Sequence, residues 1–136
     1  MAIGNVNSII RAYLATCGTL TALIGGATPR IYCPRLPENA DLPAISFFAR
    51  GGVSTPYIPG IVTPSVQIDC WSDNSIGARL LYRTVYTSLQ GIQNQAVGAY
   101  TILSAIEEVQ GMDLVDDLVP NFFRVLTYFS IMICAE

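Results

Sequence analysis

The segment from Phe122 to Cys134 constrains this chain more than any other stretch. At the two-residue period of a strand, Phe123, Val125, Phe129, Ile131 and Ile133 fall on one face. Phe122, Leu126, Tyr128 and Met132 fall on the other. A strand apolar on both faces is buried on both faces. The chain must therefore set this segment within a sheet and cover both sides of it, with its own helices or with a neighbouring molecule. The chain has 136 residues, the size of a single domain spanning 1–136 whose core needs no covalent staple.

The remaining periodicities supply the other layer. Between Val6 and about Ile24, the residues Ile9, Ile10, Tyr13, Leu14, Cys17, Leu20 and Ile24 recur at three- and four-residue steps, which predicts an amphipathic helix. Asn5 or Asn7 serves as its N-cap, Gly18 divides it, and Gly25-Gly26 stops it. Arg30 to Cys33 is a short strand candidate between Pro29 and Pro34. Pro43 to Arg50 and Pro64 to Trp71 read as strands, the second with Val66, Ile68 and Cys70 facing one way and Ser65, Gln67, Asp69 and Trp71 the other. Ser72-Asp73-Asn74 caps a second helix reaching about Gln90, with Ala78, Leu81, Tyr82, Val85 and Leu89 as its apolar stripe. Gly91 to Gly98 reads as a loop, and Ala99 to Val109 as the strand before the last. The expected architecture is α+β: a single antiparallel or mixed sheet of about four to five strands with two helices packed on one face.

Composition then removes whole classes of chemistry. Hydrophobic residues make up 51% of the chain and charged residues only 12%, about half the usual charged share. All seven basic residues are arginines; there is neither lysine nor histidine. Without imidazole there is no Ser-His or Cys-His dyad and no ordinary zinc site, and without lysine no Schiff base and no phosphate-loop lysine. An enzyme is not expected, and neither catalytic nor metal-binding residues nor a cofactor is assigned. A net charge of -3 argues against gripping a phosphate backbone. The four cysteines, Cys17, Cys33, Cys70 and Cys134, form no C-x-x-C pair and lie in apolar runs, so they are read as reduced and structural. Mean hydropathy is +0.45, yet the uncharged run Ala12–Pro29 is broken by Gly18, Gly25 and Gly26, too interrupted for a membrane span. The N-terminus has no basic stretch of the kind that opens a secretory signal. The surplus apolar surface is therefore expected to meet another subunit.

Three features are candidates for function. Glu107, Glu108, Asp113, Asp116 and Asp117 form the densest charge cluster, but their spacing matches no calcium-binding loop and reads first as a solvated acidic turn. Arg79 and Arg83 stand one helical turn apart, where like charges repel slightly; a carboxylate from elsewhere is expected to answer them, with an ion pair between subunits as the sharper reading and an ordinary solvated helix face as the preferred one. Gly51 to Thr63 is long, uncharged, and carries Val53, Tyr57, Ile58, Pro59, Ile61 and Val62. Ordinary hairpin loops run to about 2–5 residues, so this segment is read as a docking arm that becomes ordered against a neighbour.

One further pattern runs from residue 8 to about 90. It comprises Leu20-Thr21-Ala22-Leu23-Ile24-Gly25-Gly26, Arg30-Ile31-Tyr32, Leu36-Pro37, Leu42-Pro43-Ala44-Ile45-Ser46-Phe47 and, after a variable loop, Val66-Gln67-Ile68-Asp69-Cys70-Trp71-Ser72. This layout resembles the tail terminator, or tail completion, proteins of long-tailed bacteriophages. The motifs are loose, and the C-terminal third agrees only in having two strands. The resemblance implies a non-enzymatic structural virion protein at the head-proximal end of the tail, assembled in the host cytoplasm. Its subunits form a hexameric ring that caps the tail tube protein and offers a joining surface to the head-tail connector or head-completion protein. DNA passes through such a ring without specific recognition. The resemblance also aligns the family's loop between its second and third strands with Gly51–Thr63. In a ring, the acidic residues Glu107, Glu108, Asp113, Asp116 and Asp117 would face the lumen and repel DNA. The rival readings are another neck or connector protein, and a small homo-oligomeric binding module for an apolar ligand.

Overall fold

The computed structural model describes residues 4–26, 28–37, 41–53, 60–115 and 123–134. The element order is α1 (Val6–Thr16), α2 (Gly18–Thr21), β1 (Ile31–Tyr32), β2 (Ala44–Val53), β3 (Ile61–Ser72), α3 (Ser75–Leu89), β4 (Gln93–Val97), β5 (Tyr100–Val115) and β6 (Phe123–Cys134). Capping and glycine chemistry explain the helix ends. The Asn5 carboxamide accepts from the backbone N–H of Asn7 and Ser8 at the start of α1, and Asn74 Oδ1 accepts from Gly77 N–H at 2.6 Å at the start of α3. An extended Cys17 separates α1 from α2, and Gly25 (φ 118°) and Gly26 (φ 64°) turn the chain away after them.

The six strands form one curled mixed sheet in the order β1-β2-β3-β6-β5-β4. Among the described residues, only the β1–β2 pair is parallel. The two-faced segment β6 occupies the interior of the sheet, paired with β3 on one side and β5 on the other. All three helices contribute to a single core with one sheet face: Ile10 and Leu14 of α1, Leu20 of α2, and Leu81, Val85 and Leu89 of α3 pack with Phe47, Ile68, Phe129 and Ile131. The helices are also tied to each other where the Tyr13 hydroxyl donates to the Ser88 carbonyl at 2.6 Å.

The α+β expectation holds at the level of class, but the described residues form six strands and three helices, against an expectation of four to five strands and two helices. The missing strand is β4, within the expected loop Gly91–Gly98. Residues 93–96 are fully polar or small and exposed, so this edge strand has no apolar alternation to reveal it. The strand expected to end at Val109 continues to Val115. Residues 101–115 of this strand run against the 12 of β6 because three irregularities, between Ile102 and Ser104, Glu107 and Val109, and Val109 and Met112, each insert an extra residue. The arm expected over Gly51–Thr63 is also shorter. Gly51–Val53 extends β2 and Ile61–Thr63 opens β3, leaving 54–60 as the connection. Ile61 and Val62 are therefore strand residues paired with Cys134 and Ile133.

Candidate interaction surface

Helices cover one side of the sheet, and the other side carries what remains of the apolar surplus. Alternation on β6 sends Val125, Thr127, Phe129, Ile131 and Ile133 into the core and Leu126, Tyr128, Ser130 and Met132 to the open side. On β5, Ile106 pairs with Ser130, Val109 with Tyr128, and Met112 with Leu126, so these apolar residues join the open side. Ile106 is 57% exposed, and Val109, Met112 and Met132 are close to 40%. They form a contiguous apolar patch on β5 and β6. Leu126 is buried; the open face is thus partly closed over by its own neighbours and partly bare.

Polar groups frame this patch. Glu108 stands at the bulge between Glu107 and Val109, and its Oε1 accepts from the Ser65 hydroxyl at 2.7 Å, reaching across β6. The Arg50 guanidinium lies 4.1 Å from the centre of the Tyr128 ring, and that of Arg124 lies 5.1 Å from the Trp71 ring. The indole N–H of Trp71 donates to Ser46 Oγ at 2.9 Å. Asp69 is buried beside them. Its Oδ2 accepts a long bond from Gln67, and its Oδ1 accepts none among the described residues, with Arg124 Nη1 at 3.9 Å. Desolvation pushes this carboxyl above its ordinary range, against the smaller pull of Arg124 and Gln67.

A second apolar surface lies on the outer side of α3. Ile76 (82% exposed), Leu80 and Tyr86 share the solvent-facing stripe with Arg83 and Thr87. The two expected arginines part company here. Arg79 is answered within its own chain, its Nε and Nη2 donating to the two oxygens of Asp113 at 2.9 and 3.0 Å. Arg83 is exposed and makes no ion pair among the described residues.

The acidic group does not form one surface. Glu107, on the helix side, accepts from the Tyr82 hydroxyl at 2.7 Å and from Thr127 Oγ1 at 3.1 Å, while Glu108 projects from the open side. Asp113 turns to α3, and Asp116 and Asp117 lie outside the described residues. The reason is strand alternation reset by the bulges, which makes the cluster part of β5 instead of a solvated turn. Of the expected docking arm, Tyr57, Ile58 and Pro59 lie outside the described residues, and Val53 is placed by its backbone alone. The open-face residues Ile106, Val109 and Met112 escaped sequence reasoning; Met132 was legible as part of the second apolar face of β6.

The cysteines differ from one another as well. All four are free thiols, but only Cys70 is buried and Cys33 is exposed. No protein-family model matches this chain, and no curated protein matches it. Among the described residues no helix is long and apolar enough to cross a membrane.

Proposed function

We propose that this chain is a structural virion subunit, a tail terminator that assembles into a hexameric ring capping the tail tube and presenting the joining surface for the head connector. The observation that carries the reading is the exposed apolar patch of Ile106, Val109, Met112 and Met132 on the side of the sheet that, among the described residues, no helix covers. Exposed apolar surface of this kind, in a chain with only 12% charged residues, is the expected mark of a subunit that works against a neighbour. The name of the assembly comes from the sequence pattern of residues 8–90, with which the small α+β layer fold is compatible. Glu107 and Glu108 face opposite sides of the sheet, so the two do not line one lumen surface together.

The test is size-exclusion chromatography with light scattering, followed by electron microscopy of the product with tail tube protein. Closed rings that sit on tube ends are the expected result. A chain that stays monomeric alone and with tube protein sinks the reading. Rings that bind the connector but not the tube would instead make it another neck component.

A further inference from the structure

Building on the ring reading, we propose that the outer stripe of α3 in one copy docks on the open β5–β6 face of the next, with Arg83 of the first copy paired to Glu108 of the second. The two surfaces lie on opposite layers of the molecule: Ile76, Leu80 and Tyr86 project from the helix layer, and Ile106, Val109, Met112 and Met132 from the bare sheet face. One head-to-tail contact between unlike patches covers both, and repeats from copy to copy until it closes. A two-fold contact of either patch with itself would leave the other bare. Charge also separates these arrangements. Stacking α3 on α3 brings Arg83 toward its own copy, whereas the head-to-tail contact sets the cation of one patch against the carboxylate of the other. Arg83 and Glu108 each stand among the exposed apolar residues of their patch, and neither makes an ion pair among the described residues. Arg50 also borders the sheet patch, but its guanidinium is already stacked on Tyr128.

The experiment is light scattering of the full chain alone, across a concentration series, for wild type, Arg83→Glu, Glu108→Arg and the double reversal. Each single reversal sets like charges against each other and should weaken self-association at least about tenfold. The double reversal, and an equimolar mixture of the two single variants, should recover most of it. Both positions are exposed, so unchanged circular dichroism and urea midpoints should accompany the loss; Arg83→Gln and Glu108→Gln supply milder variants of the same test. Wild-type association indifferent to both reversals overturns the pairing and leaves the ring reading standing. Rescue of Glu108→Arg by Arg50→Glu overturns it too, because the sheet would then be packing on a second sheet. A wild-type chain that is monomeric alone at submillimolar concentration also overturns it. If the reversals and their rescue behave as expected but the product is an open filament, the pairing stands and the ring reading fails.

Discussion

At the scale of single residues, Asp69 shows how burial and charge compete. Its carboxyl sits among Gln67, Trp71 and Arg124 with one oxygen unsatisfied among the described residues. Burial raises its pKa above the ordinary 3.8, and the Arg124 guanidinium offsets only part of that. A carboxyl whose folded pKa lies above its unfolded one favours the protonated folded state. Its cost is therefore complete at neutral pH, and stability is regained as pH falls through the folded value. Asp69→Asn should raise the urea midpoint at pH 7, and the gap from wild type should close on acidification, vanishing below about pH 3.8. A variant less stable than wild type at pH 7 would show that Arg124 outweighs desolvation. The thiols make a second residue-scale case. Cys70 is fully buried and its pKa is pushed far up, by burial first and by Asp69 second. Only accessible thiolate reacts, so alkylation of the folded chain should label the exposed Cys33, whose pKa burial also raises, well before Cys70, which stays unmodified until unfolding. Mass mapping of the labelled peptides reads this directly. The sequence placed all four cysteines in apolar runs, but whether a run is covered depends on which strand lies over it.

At the scale of elements, β5 is where local pattern and final structure diverge most. Glu107, Glu108, Gln110 and Gly111 interrupt apolar alternation and look like the start of a turn, yet the strand runs on to Val115. Each bulge adds a residue that pairing with β6 does not use, so the face occupied by a given parity changes along the strand. Gly111 makes this possible at one point: a Cβ there would lie 2.7 Å from Val125 Cγ1 and 2.8 Å from Tyr82 Cζ. Gly111→Ala should therefore cost about 1–3 kcal/mol in chemical denaturation, and a neutral result would mean that Tyr82 has room to withdraw. The edge strand β4 was illegible for the opposite reason, since it buries almost nothing. Asn94, at φ 50°, interrupts its pairing between Gln93 and Gln95 and blunts the edge. The helices, by contrast, were readable down to their caps, because a side-chain acceptor and a 3.6-residue stripe are local properties. Asn74→Ala should lower stability by about 1 kcal/mol, measured by the same denaturation; an unchanged midpoint would show that Asp73 or Ser72 can take over the cap.

At the scale of the whole molecule, the relation between two faces matters more than any one residue. Arg79 and Arg83 are neighbours on α3, but Arg79 is bound to its own chain's Asp113 while Arg83 stands on the outer stripe. Arg79→Ala removes a solvent-exposed pair and should cost less than about 1 kcal/mol in stability, leaving self-association as in wild type. Arg83→Ala should weaken association and leave the urea midpoint unchanged; the reverse pattern in light scattering would place the contact at Arg79. The sequence by itself determined the class of fold, the apolar stripes of α1 and α3, the burial of one face of β6 and the lack of imidazole and lysine side chains, because these rest on residue identity and short-range period. Adjacent Glu107 and Glu108 fall on opposite faces by strand alternation alone, but only the tertiary structure decided that Glu107 meets Tyr82 while Glu108 reaches Ser65, that Ile61 and Val62 are strand residues, and that the exposed apolar patch lies across β5 and β6. Those outcomes depend on register, and register is set by which strands pair and where extra residues bulge out, neither of which any single segment carries.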